Sequence, residues 1–141
     1  MRTAPVSETN LNTPQRILAV AAVVEVGTGL ALMIDPAIVV TLLLGTEVSG
    51  AAMLLARCFG IALLALGLAS WPRRQHAEGG SPAFRAMLTY NVLIALYLAY
   101  LGTGGHLGGV LLWPAVGLHG VVALLLLWTW RDEQRMKATD M

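Results

Sequence analysis

The sequence predicts an all-α, integral membrane bundle of four transmembrane helices, with a short extra interfacial or re-entrant helix at its outer end. Three observations carry this expectation. Of the 141 residues, 57% are hydrophobic and 12% charged, where ordinary soluble domains have about 45–50% and about 25%; the mean hydropathy is +0.71. Four apolar stretches, at about 16–35, 50–71, 83–101 and 108–130, each reach the roughly 20 residues that cross a bilayer at about 1.5 Å per residue. Every lysine and arginine except Arg57 falls on one side of the frame those stretches define.

Residues 1–13 are polar and lack an apolar period, which predicts a flexible tail. Thr13-Pro14 then reads as an N-cap followed by proline at the first helical position. The first span, 16–35, carries Glu25 near its middle. Its apolar run exceeds a signal-peptide core and its leading segment is poor in basic residues, so it is expected to be retained as a span.

Asp35-Pro36 reads as a fresh cap for a short helix, about 36–44, closed by Gly45. It is too short to cross a bilayer and apolar on every side, so it is expected to cover the outer end of the bundle.

In the second span, Ala56, Gly60 and Gly67 share one helical sector and Arg57 borders it. Small residues let helix backbones approach closely, so this sector is expected to face the bundle and take Arg57 with it. The breaker-rich loop around residues 72–82 reads as an exposed turn with a solvated His76.

The third span places Tyr90, Tyr97 and Tyr100 in one sector, with Asn91 about a third of a turn away. The Gly-rich segment that follows is a tight turn and not a phosphate loop, since no strand precedes it and no Lys-Ser/Thr follows. The fourth span has His119 near its centre and Pro114 near its start. Proline there either kinks the helix or begins a shorter one. Residues 132–141 read as a mixed-charge solvated tail.

Arg2, Arg16, Arg73, Arg74, Arg85, Arg131, Arg135 and Lys137 set the orientation. The positive-inside rule puts their side, with both termini, in the cytoplasm of a bacterial inner-membrane protein. Trp71, Trp128 and Trp130 fall at that boundary, and Trp113 with Tyr100 near the outer one, as interfacial aromatic belts do.

Composition excludes several function classes. A net charge of +1 with one lysine gives no basic footprint for nucleic acid. With Cys58 alone there is no intrachain disulfide, CxxC pair or cysteine metal site. No second histidine stands three or four residues from His119, so no metal motif forms, and no cofactor is implied. The expected partners are the lipid bilayer and either further copies of the chain or another membrane protein.

Intramembrane polar groups remain as candidate functional residues, because charge at mid-bilayer costs about 2.5–3.5 kcal/mol on insertion scales. Counted from the cytoplasmic ends, Asn91 lies at about 9 Å, Glu25 at about 13 Å, His119 at about 16 Å, Tyr97 at about 18 Å and Arg57 at about 21 Å. An arginine extends along the membrane normal, so Glu25 and Arg57 are expected to meet. One reading makes them a buried structural pair, with Tyr97 or His119 satisfying leftover hydrogen bonds, in a non-enzymatic structural or accessory component. A second has Glu25, Arg57, Asn91, Tyr97 and His119 line a polar site, with Glu25 as the titrating carboxylate of a proton- or ion-coupled transporter. A third leaves Glu25 unpaired and protonated. An enzyme is the weakest expectation, since no nucleophile–base pair is visible.

The glycine-containing end of span one running into Asp35-Pro36, the closure at Leu44-Gly45, and Ala56-Arg57 followed by Gly60 and Gly67 resemble the DoxX-like small four-helix bacterial membrane proteins. The resemblance covers about residues 25–72. It implies a four-helix membrane bundle, in a group where some members are associated with redox enzymes. The cysteine motifs for thiol chemistry are absent here, which argues against a redox role. Glu25-Val26 followed by Gly27-Thr28 also resembles the first helix of small multidrug-resistance exporters, over about ten residues. An intramembrane Arg57 departs from that pattern.

Overall fold

The computed structural model describes residues 13–71, 80–104 and 107–139. The N-terminal tail before Thr13, most of the loop with His76, and Gly105-His106 of the Gly-rich turn lie outside them. The described residues form five helices: α1 (Thr13–Ile34), α2 (Pro36–Leu44), α3 (Ala51–Ala69), α4 (Pro82–Thr103) and α5 (Leu112–Thr139). Four of them, α1, α3, α4 and α5, are long and apolar enough to cross a membrane. Most of each apolar window faces outward rather than into the bundle. That arrangement suits lipid as solvent, because chain tails are as apolar as leucine.

The bundle consists of two antiparallel pairs, α1 with α3 and α4 with α5, which meet along a sparser seam. The first pair is set by glycine. A Cβ on Gly29 would lie 2.7 Å from the Gly60 carbonyl oxygen and 2.8 Å from Leu64 N. One on Gly67 would lie 2.8 Å from the Ala22 carbonyl oxygen. Bare backbones therefore touch at two levels, as in small-residue membrane helix contacts. Between the pairs, Leu18, Ala21, Phe84, Met87, Val122 and Leu126 form one buried cluster.

The short helix α2 is punctuated as its sequence predicts. Asp35 accepts from Ile38 N at 3.1 Å, Pro36 occupies the first turn, and Gly45 closes the helix in the left-handed region at φ 71°. Its last carbonyls are capped by the α4–α5 connection: Gly108 N donates to Leu44 O (3.0 Å), Gly109 N to Leu43 O (3.2 Å) and Leu111 N to Leu42 O (2.8 Å). These bonds hold α2 across one end of the bundle, where it touches α1, α3 and α5. A side chain at Gly109 would overlap the Leu42 carbonyl and sit 2.6 Å from the Leu43 carbonyl carbon. Gly109→Ala is therefore expected to undock α2. Amide exchange at Gly108 and Leu111 should quicken about tenfold, while melting of the long helices changes little.

Ser81 caps α4 through Phe84 N at 3.2 Å, with Pro82 in the first turn. Pro114 falls in the first turn of α5, where its missing N–H costs nothing. The helix begins just before it, without a long preceding segment. At its far end α5 continues past Arg131 to Thr139, where the sequence suggests only a solvated tail. Those last residues are largely exposed.

Candidate functional site

Glu25, Asn91 and His119 come together at the seam between the two helix pairs. Glu25 is placed by the same α1 face that packs on α3, turned slightly toward α4 and α5. Ala21, Ala22, Gly29 and Leu32 on that face are all buried, and Glu25 itself is only 1% exposed. Asn91 lies on the buried α4 face with Phe84, Met87 and Leu98, spaced three, four and seven residues apart. It too is 1% exposed.

The Asn91 side chain bridges two elements. Its Nδ2 donates to the Met87 carbonyl at 2.9 Å, one turn back along α4. With the amide nitrogen committed, Oδ1 is left to accept, and His119 Nδ1 stands 2.9 Å from it. That geometry puts a proton on Nδ1. The Tyr90 ring packs on the imidazole edge to face, with centroids 5.8 Å apart and planes at 84°.

The carboxylate fares differently. Glu25 Oε1 is 3.8 Å from His119 Nδ1, beyond hydrogen-bond range, and that N–H already serves Asn91. The Tyr90 hydroxyl is close enough to interact with the carboxylate, yet neither oxygen has a partner in hydrogen-bond geometry. Among the described residues, Ser70 Oγ is the other buried side-chain oxygen left so.

Two residues of the expected constellation stand elsewhere, and both are corrections. Arg57 is exposed, and no ion pair joins it to Glu25 among the described residues. Gly60, Leu63 and Gly67 are the buried face of α3. Arg57 is about 60° round the helix from Gly60 at about 100° per residue, which places it with the exposed Leu54, Ile61 and Leu68. The glycine contact is narrower than the sector assumed from small residues, so the arginine misses it. The register also opposes a pair. With Gly29 facing Gly60, Glu25 lies level with residue 64, about 10 Å along the axis from Arg57.

Tyr97 is 57% exposed and about two turns from the cluster. The tyrosine that joins the site is Tyr90. Sequence periodicity groups the two on one sector, but only Tyr90 is level with His119. The signal that could have separated them is adjacency to Asn91.

Chemically, the cluster offers a buried carboxylate with no donor in hydrogen-bond geometry, the Tyr90 hydroxyl beside it, and an imidazole whose Nδ1–H is held by Asn91. The Glu25 carboxylate and His119 Nε2 are the atoms of the cluster with lone pairs for a proton. Among the described residues, no group of three His, Cys, Asp or Glu converges to hold a metal ion. No family model, curated protein or solved structure matches the chain.

Proposed function

We propose that this chain is a small multi-pass protein of a bacterial inner membrane in which Glu25 is the titrating group of a proton-coupled transport step. One observation carries the reading: a fully buried carboxylate with no partner in hydrogen-bond geometry, only the Tyr90 hydroxyl being close enough to interact, sits where three helices meet. A group retained for architecture is expected to be satisfied, since an orphaned buried polar group costs about 1–3 kcal/mol. Intramembrane ionisable groups that face a protein interior commonly mark proton or substrate paths.

The position suits the task. Each helix pair is tightly joined within itself, and the seam between the pairs is sparser. A proton arriving at Glu25 changes the charge at that seam, where relative movement disrupts the fewest contacts. The structural or accessory reading relied on a Glu25–Arg57 clamp, and the Gly29–Gly60 and Ala22–Gly67 contacts already hold those helices. A DoxX-like affiliation belongs to the same proposal, supported by the sequence features at Asp35-Pro36, Leu44-Gly45 and Ala56-Arg57 with Gly60 and Gly67. Cytoplasmic termini are likewise proposed, supported by Arg16, Arg85, Arg131, Arg135 and Lys137 gathering at the end opposite α2.

Charge displacement after a pH jump on protein-loaded supported membranes tests the function without a known substrate. Wild-type protein is expected to give a transient current and Glu25→Gln about a tenth of it or less, a barrier or occupancy change of about 1.4 kcal/mol or more. Equal currents from the two proteins would end the proposal.

A further inference from the structure

We infer that Arg57 is a lipid-binding residue, whose guanidinium takes the phosphate of an anionic phospholipid at the membrane face nearest α2. Arg57 lies in a stripe with Leu54, Ile61 and Leu68, spaced three, four and seven residues apart. Those three apolar side chains are 63%, 54% and 59% exposed. A stripe of that kind on an apolar spanning helix faces lipid, and a bare cation there needs an anion. No carboxylate of the described residues supplies one.

Depth identifies the anion. Trp71, half-exposed just past the end of α3, marks one interface as belt tryptophans do. Arg57 is about 14 residues away, or roughly 21 Å along the helix. The hydrocarbon core is about 30 Å thick, and an arginine side chain extends further along the normal by snorkelling. Its head group therefore arrives at the opposite headgroup layer, where phosphates accept its planar fork in bidentate fashion.

A second copy of this chain is the rival occupant of the stripe, and charge opposes it. In a symmetric dimer whose two-fold axis runs along the membrane normal, the two copies of Arg57 lie at one depth, and packing along this stripe brings both near the axis. Two guanidiniums would face each other in a low-dielectric layer, which is repulsive.

Two measurements decide the matter in the whole protein. In bilayers of phosphatidylcholine and phosphatidylglycerol, with all eight arginines labelled at Cζ, carbon-to-phosphorus dipolar dephasing should be larger in wild type than in Arg57→Lys by the share of one arginine in close phosphate contact. This comparison needs only a charge-conserving variant, so the fold is preserved. In native mass spectrometry from mild detergent, Arg57→Gln should retain phosphatidylglycerol about fivefold less than wild type, the factor expected for one basic residue near an anionic surface. Absence of an Arg57-dependent phosphorus contact overturns the inference. So does a dimer that disappears with Arg57→Gln while lipid retention stays unchanged, which would assign the stripe to a second copy.

Discussion

Gly29→Leu is expected to lower stability by about 3 kcal/mol, the upper end of ordinary overpacking costs. A Cβ at Gly29 already meets backbone atoms of Gly60 and Leu64 below 3 Å. Backbone cannot rotate aside as a side-chain tip can, so α1 and α3 must separate. Their separation also removes dispersion contacts along the remaining seam, which is the main attraction between helices in lipid. Gly27→Leu provides the control, because nothing stands within 4 Å of a Cβ there. That change should be close to neutral, with a small gain from helix propensity. Reversible unfolding in mixed micelles checks both. Equal stabilities for the two variants would show that α1 and α3 do not approach through Gly29.

Glu25→Met is expected to act in the opposite direction, raising stability by about 1–3 kcal/mol while abolishing the pH-jump current. Removing a satisfied partner from a buried pair typically costs about 3–5 kcal/mol, because the other charge is left exposed to an apolar interior. Here only the Tyr90 hydroxyl loses a neighbour, and it stands outside hydrogen-bond geometry with the carboxylate. His119 keeps its bond to Asn91, and Asn91 keeps its bond to Met87. The change deletes two buried oxygens without partners, whose desolvation penalty is about 1–3 kcal/mol, and methionine fills a similar volume flexibly. Stability and function are thus predicted to part company at one residue. A marked destabilisation by Glu25→Met would return Glu25 to an architectural role.

Much of the fold was legible because hydrophobic length and local punctuation are strong signals. The four spans follow from apolar runs, and α2 follows from Asp35-Pro36 at one end and Gly45 at the other. The site was legible only in part. Glu25, Asn91 and His119 were identifiable as polar groups in apolar helices, but their mutual contacts depend on helix order and rotation. One-helix periodicity places a residue within a broad sector, whereas the Gly29–Gly60 contact is narrow. An error of about 60° was enough to turn Arg57 from the bundle to its surface. Opposite charge suggested Arg57 as the partner of Glu25, yet the residue closest in charge terms was His119, whose neutral form carries no such signal in a sequence. The choice of Tyr97 over Tyr90 failed on axial level, which depends on how far α4 slides against α5.

The central claim is that Glu25 takes up and releases a proton inside the bundle, next to His119. Infrared difference spectroscopy of the protein in lipid, followed through a pH titration, tests this most directly. The account predicts a carboxylic acid carbonyl band that appears as pH falls, is missing from Glu25→Gln, and changes frequency in His119→Ala. A titration in which wild type and Glu25→Gln give the same carbonyl region would contradict it.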